Sequence, residues 1–356
     1  MNVPKLRFKE FNDNYLRLKY KDVLKIKSGK DQKQVECENG IYPILGTGGQ
    51  IGKTNSFLYD KPSVLIGRKG TINKPQYMET PFWTVDTLFY SHIYEPNIPK
   101  YLFYSFQNVN WKKYDESTSV PSLSSSTIEG VDCNIPSKEE QLKVANFLSL
   151  LDKKIELQSK KIEDLKLFKK GLILSLKKNS FDWHTVCIKD LFKITRGVVI
   201  PKNELSEFKS GEYKYPVYSS QTSNQGVLGY SDTFDFNGKY LTWTTDGANA
   251  GKVFYRNGKF RCTNVCGVLY EDNIRFTNEL FAELLNYETP KHVSYVGNPK
   301  LMNNIMANIK IKIPSNEIQE NISLVINTIN HKVNLETNKL LKLQELKKGL
   351  MQSMFV

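Results

Sequence analysis

No stretch of the chain is long and apolar enough to cross a bilayer. Its longest apolar runs cover only a few of its 356 residues, against the roughly 20 that a spanning helix needs. The opening segment, Val3-Pro4-Lys5-Leu6-Arg7-Phe8, holds no apolar core of the kind that marks a secretory signal. Cysteine is sparse too. The five present (Cys37, Cys133, Cys187, Cys262 and Cys266) make no disulfide framework in a chain of this size. Cys262 and Cys266 stand four apart with no second pair and no histidine beside them, so no metal site is expected. These absences point to a cytoplasmic protein with reduced thiols and no membrane partner.

Catalytic signatures are missing as well. There is no G-x-G-x-x-G fingerprint, no H-E-x-x-H and no G-x-S-x-G. The Asn-Pro-Pro-aromatic motif of amino-methylating enzymes is absent, because Asn298-Pro299 is followed by Lys300. The segment Gly46 to Thr54 imitates a phosphate-binding loop, but Thr47 stands where that loop needs its first glycine. The next eight residues, Asn55 to Pro62, make a poor helix, so no helix N-terminus would face a phosphate. A glycine-shaped hairpin is expected there. No acid–base or nucleophile set occurs in both halves of the chain, and His92 falls beside no triad. No catalytic residue, bound cofactor or metal is therefore expected in this chain.

Positive charge is abundant: 50 Lys and Arg against 37 Asp and Glu give a net charge of +13. Such an excess suits an anionic partner such as nucleic acid. Its densest stretch, 137–178, carries 11 basic and 6 acidic side chains, and a solvated helix face would account for that equally well.

The chain repeats itself. Ile135-Pro136-Ser137 recurs as Ile313-Pro314-Ser315, an offset of 178 residues. At that offset Gln141 meets Gln319, and Lys169-Lys170-Gly171-Leu172 meets Lys347-Lys348-Gly349-Leu350. Upstream, Leu102-Phe103 meets Leu280-Phe281 and Pro121-x-Leu123 meets Pro299-x-Leu301, while Gly70 meets Gly247 at an offset of 177. Lys21-Asp22-Val23 and Lys189-Asp190-Leu191 open the two copies. Each copy is a variable region followed by a better-matched tail.

The tails read as helices. Val144, Leu148, Leu151, Ile155, Ile162 and Leu165 recur at alternating spacings, as do Ile322, Ile326, Ile329, Val333, Leu340 and Leu343. Gln158 and Glu336, then Lys169 and Lys347, interrupt the two seams at matching places. Heptad seams of this length pair helices through knobs-into-holes packing, and matched polar interruptions favour one register. Ser137 with Glu140 forms a capping box that starts the first helix. An antiparallel pair would put one globular region at each end, related by a pseudo-twofold axis. The variable regions read as α+β. Strands are predicted at Tyr42–Leu45, Ser63–Ile66 and Thr84–Tyr90, and at Tyr215–Tyr218, Tyr240–Trp243 and Val265–Leu269. Short helices are predicted at Tyr101–Gln107 and Asn278–Leu285.

Two loops occupy equal places in both copies yet differ in side chains. The first holds Arg68, Lys69, Gly70, Thr71 and Lys74, and its counterpart holds Asp246, Asn249 and Lys252. Arginine and lysine present donors to guanine edges and phosphates, and asparagine can address adenine with two bonds. The second holds Ser117, Ser119 and Ser122, and its counterpart holds Tyr295, Asn298 and Lys300. Hydroxyls and amides of this kind typically contact the nucleic-acid backbone. Solvated turn chemistry is the plain alternative for both loops.

This order of parts resembles the specificity (S) subunit of type I restriction-modification enzymes. Ile66-Gly67-Arg68-Lys69-Gly70-Thr71, Pro81-Phe82-Trp83 and Asp86-Thr87-Leu88 are similar to the family's core strands. Ile135-Pro136-Ser137 with Glu140-Gln141, then Lys169-Lys170-Gly171-Leu172, are similar to its helical spacer. The second copy departs mildly, with Ile318-Gln319 for Glu-Gln and Asp246-Gly247-Ala248 for Lys-Gly-Thr. The resemblance implies target-recognition domains at 1–136 and 179–314, a central coiled-coil helix at 137–178 and a C-terminal one at 315–356. It further implies a non-catalytic chain that reads a split, asymmetric site in double-stranded DNA, one half per domain, while the helices set the spacer. Two modification subunits, which bind S-adenosylmethionine and methylate adenine, would dock on it, and motor-nuclease restriction subunits would join them. The rivals are a protein-only coiled-coil adaptor and a stand-alone, repeat-built DNA-modifying enzyme.

Overall fold

Short β-branched and aromatic runs bounded by Gly, Pro and Asn become strands in the computed structural model, which describes residues 3–178, 183–221 and 223–356. The chain forms two units: Met1–Ser159 with Asn338–Val356, and Lys160–Thr337.

In the first unit, strand β1 (Leu16–Lys19) leads through the single-turn helix α1 (Tyr20–Val23) into β2 (Leu24–Lys27). Next come β3 (Tyr42–Gly46), β4 (Gly49–Thr54), β5 (Ser63–Gly67), β6 (Gln76–Met78), β7 (Trp83–Thr84) and β8 (Leu88–Ile93). Helices α2 (Pro99–Asn108) and α3 (Ser125–Gly130), β9 (Asp132–Ile135) and the long α4 (Lys138–Lys178) complete the series. The strands order as β2-β8-β5-β6, β4-β3-β7 and β1-β9. The would-be phosphate loop is the β3–β4 hairpin, with Gly46 opposite Gly49 and Gly49 at φ +113°. His92 lies on β8 with Nδ1 2.9 Å from the Tyr59 hydroxyl.

The second unit repeats this plan with β10 (His184–Cys187), α5 (Ile188–Leu191), β11 (Lys193–Arg196), β12 (Tyr215–Tyr218) and β13 (Val227–Ser231). Then come β14 (Phe236–Thr244), β15 (Val253–Cys262), β16 (Cys266–Tyr270), α6 (Glu279–Glu288), α7 (Asn303–Asn308), β17 (Lys310–Ile313) and α8 (Asn316–Met354). Six of its strands form one sheet, β11-β16-β14-β15-β12-β13. One residue type accounts for the difference between the units. Strand β12 pairs in parallel with β15 as β3 does with β7, but β15 runs unbroken where Pro81 separates β6 from β7. Proline removes a ladder donor and ends a strand. The strand predicted over Thr84–Tyr90 is also two: β7 and β8 are divided by a turn in which the Leu88 amide donates to the Val85 carbonyl at 3.0 Å.

The helical seams face inward. Val144, Leu148, Leu151, Ile162, Ile322, Ile326 and Ile329 are buried, and Ile155, Leu165, Val333, Leu340 and Leu343 are half-buried. Within the second unit, Lys161 bonds Glu336 at 2.8 Å and Lys169 bonds Asn330 at 2.8 Å. Position falls along one helix as it rises along the other, so the segments run antiparallel. Within the first unit Asp152 meets Lys347 at 2.6 Å. There Met351, Met354 and Phe355 at the end of α8 share a core with Val144, Ala145 and Leu148 near the start of α4, which is again antiparallel pairing.

The matched interruptions also tie recognition domain to helix. Lys347 lies over the Tyr104 ring, and Tyr104 donates to Asp152 at 2.8 Å. Lys169 bonds Glu283 of α6 at 2.5 Å. The Gln141 and Gln319 amides donate to the carbonyls of Pro136 (3.1 Å) and Pro314 (2.7 Å), so one contact shapes both Ile-Pro-Ser turns.

The capping box is half formed. The Ser137 hydroxyl accepts from the Glu140 amide at 3.3 Å, but the Glu140 carboxylate is taken by Arg7 at 2.8 and 2.7 Å and by Tyr15 at 2.9 Å. That bond to Glu140 raises the Arg7 guanidinium pKa. Glu140 is 1% exposed, and removing one partner of a buried ion pair leaves the other desolvated and unpaired. Glu140→Ala is expected to destabilise this unit by about 3 kcal/mol, read by denaturant unfolding. A loss within about 0.5 kcal/mol would contradict the arrangement.

Candidate nucleic-acid interface

Gly67 ends β5 where a Cβ would stand 2.4 Å from the Thr71 carbonyl oxygen, and Gly70 turns the chain at φ +87°. Only glycine accepts both conditions. The turn is fastened at three points: the Arg68 amide donates to the Thr87 carbonyl (2.8 Å), the Gly70 amide to Pro121 (2.8 Å), and the Leu123 amide to Arg68 (2.9 Å). The two loops singled out in the sequence are thus zipped into one edge, with Lys69 opposite Ser122.

The second unit reproduces the zipper bond for bond. The Thr245 amide donates to Val265 (3.0 Å), Gly247 to Pro299 (2.9 Å) and Leu301 to Thr245 (2.9 Å). Gly247 stands at φ +94°, and Asp246 faces Lys300. Leu123 and Leu301, both buried, anchor the edges to their cores.

Side chains on the two edges differ. In the first unit Arg68, Lys69 and Ser119 are exposed, while Gly70, Thr71 and Ser122 are half-buried. Neither Arg68 nor Lys69 forms an ion pair among the described residues. Ser117 is spent internally: Asp115 accepts its hydroxyl at 2.8 Å and its amide at 3.0 Å, and also accepts the Ser122 amide at 2.9 Å. These bonds, the Ser122 amide first, lower the Asp115 pKa. They hold a turn whose tip carries Val120, 57% exposed.

In the second unit Asp246 is flanked by Arg196 and Lys300, each at 3.9 Å, and accepts the Thr245 hydroxyl at 2.6 Å. Its charge is therefore offset from both sides. Tyr295, Asn298 and Lys300 are exposed along the same edge, and Asn249 is exposed on the turn beyond Gly247.

Lys74 and Lys252 are not on these edges. Lys74 faces Lys347 and Lys348 of α8. Lys252 lies near Glu283, Lys169 and Lys166; burial lowers its pKa, Glu283 offsets that, and the two lysines add to it. In both units the loop runs on from the zipped edge, so the lysine at its end lies by the long helices.

Arg196 is a further residue of the second edge, one that loop spacing alone does not single out. It ends β11, its Nε is buried without a hydrogen-bond partner, and its side chain is 36% exposed beside Asp246. The repeat carries a signal for it. Continuing the Lys21/Lys189 match aligns Gly29 with Gly197, and Ser28 with Arg196.

The comparisons with known proteins agree with this architecture. A family model for the type I restriction modification DNA specificity domain matches residues 12–167 and again 181–345. A putative type I specificity subunit of Mycoplasma pneumoniae is 34% identical over 224 residues, which is 60% of this chain and 81% of that relative. The N-terminus of another putative one from that organism is 44% identical over 145 residues, 40% of this chain and 76% of the relative. The crystal structure of a type I restriction-modification S subunit from M. genitalium superposes with a TM-score of 0.71 at 16% identity, covering 99% of both chains. The chain belongs to the type I restriction-modification DNA specificity family. It is a non-catalytic DNA-recognition subunit that assembles with the other subunits of such a system.

Proposed function

We propose that each zipped edge reads one block of a split, asymmetric DNA site. One observation carries this reading: the same backbone bonds build both edges, while the exposed side chains differ in type and charge. Equal scaffolds with unequal side chains suit two half-sites of different sequence. Reading falls to 1–136 and 179–314, and the helices at 137–178 and 315–356 set the spacer. Arg68 and Lys69 address bases or phosphates of the first block. Arg196, Lys300, Asn298 and Tyr295 address the second, with Asp246 orienting its neighbours.

The helices carry a second task in this reading. Leu142, Leu150, Leu157, Leu167, Leu324 and Leu341 are exposed on α4 and α8, between 49% and 69%. Outward leucines on paired helices favour packing by further helices. They support the docking of two modification subunits, which carry S-adenosylmethionine, with restriction motor-nuclease subunits joining that complex in the cytoplasm. No helix among the described residues is long and apolar enough to span a membrane.

Lys69→Ala tests the edge. In the chain purified with its modification partner, affinity is expected to fall by about 1–3 kcal/mol with relaxed preference at one position if Lys69 reads a base. If it touches phosphate alone, the loss is equal on all sequences and the salt slope drops by about 1. Unchanged affinity at low salt would show that this edge does not face DNA.

A further inference from the structure

A cavity of about 510 Å³ opens between the recognition domain and α8 in the first unit. Its wall carries the ammonium groups of Lys74, Lys347 and Lys348 and the amides of Asn73, Asn108 and Gln344, and no carboxylate. Lys347 is held from behind by Asp152 at 2.6 Å. Among the described residues Lys74 and Lys348 form no ion pair, and Asn73, Asn108 and Gln344 make no side-chain hydrogen bond.

The second unit shows what this position looks like when it is internally satisfied. At the repeat offset, Lys74 corresponds to Lys252, Asn108 to Asn286 and Lys347 to Lys169. There Glu283 binds Lys169 at 2.5 Å, and its charge also acts on Lys252. The Asn286 amide exchanges two 2.8 Å bonds with the backbone of Val253. In the first unit Ser105 stands in place of Glu283; Lys347 turns instead to Asp152 and Gln107, and Lys74, Lys348 and the three amides are left without such a partner among the described residues. Clustered ammonium groups repel one another and favour an anion between them, and lysine with Asn and Gln amides is a common donor set for phosphate.

We infer that this cavity is a phosphate-binding site, built jointly by the loop that leaves the first recognition edge and by the last turns of α8. Phosphate groups reach it from the DNA backbone beside the first block or from a free polyphosphate. The inference rests in part on the DNA-reading function proposed above.

The test compares the full chain, in complex with its modification subunits, with its Lys74→Gln/Lys348→Gln variant. Both lysines are exposed, so the variant is expected to keep the wild-type melting temperature. Affinity is measured against salt concentration on a duplex carrying the methylated site and on an unrelated duplex, and pyrophosphate is titrated calorimetrically. A DNA source predicts similar losses on both duplexes and a salt slope shallower by about 2. A free-polyphosphate source predicts weakened pyrophosphate binding at an unchanged slope. Unchanged slope and unchanged pyrophosphate binding overturn the inference. So does loss of co-purifying modification subunits with both of those intact, which would assign the cavity to a protein interface. If the wild-type complex shows no sequence preference, the proposed function itself fails; if it does and the variant equals it in both measurements, only this site fails.

Discussion

A heptad inserted between Ile155 and Ile162, with a matching heptad between Val333 and Leu340, is expected to lengthen the unread spacer and leave both recognised blocks unchanged. Seven residues keep every seam position in phase, because the seam repeats every 3.5 residues. The contacts that tie each recognition domain to the helices lie outside the inserted segments: Asp152, Tyr104 and Lys347 in one unit, Lys169 with Glu283 in the other. The insertion adds about 10 Å of helix between those ties at a rise of 1.5 Å per residue. Methylome sequencing of a strain carrying the variant reads the spacer directly. An unchanged spacer would mean that the helices are not the ruler.

Arg196→Ala is expected to relax one base position in one block only and to weaken binding to the native site by about 1–3 kcal/mol. A guanidinium is a forked donor that reads guanine with two bonds, provided that it is held in one orientation. Asp246 draws the guanidinium to one side as an ion pair at 3.9 Å, with the zipper fixing Asp246 through the bonds of Thr245, Gly247 and Leu301. Asp246→Asn keeps the shape and loses the charge, so the same position should relax with a smaller loss. The other block stays intact, because its edge has Ser28 in place of Arg196. Binding to a duplex library randomised at each position separates the blocks. Relaxation in both blocks at once, or in neither, would remove Arg196 from the second edge.

Much of this architecture is legible in the residues alone. A residue's partner along a helix or hairpin is set by short-range spacing. The seams from Val144 to Leu165 and from Ile322 to Leu343 therefore show as alternating spacings, and they form the inward face of the helices. Gly46–Gly49 reads as a hairpin because its glycines lack a helix after them. The Ser137 cap is half right: its hydroxyl caps the helix, but Glu140 answers to Arg7 and Tyr15, which lie more than 120 residues away in sequence and belong to no local pattern.

The duplication, the α+β class of each unit, the two inward-facing seams and the loops that carry different side chains at equal places can all be read from residue order. Those features depend on periodicity and on internal likeness, which any linear reading can count. Folding alone joins the two loops of each unit into one edge, turns Lys74 and Lys252 to the helices, and sets Arg196 beside Asp246. Each of these is a contact between segments about 50 residues or more apart, or a side-chain direction at the end of a loop. Neither is encoded in spacing. They depend on backbone bonds such as Gly70 to Pro121 and Gly247 to Pro299, which exist only once the strands beneath them have paired and brought the loop ends together.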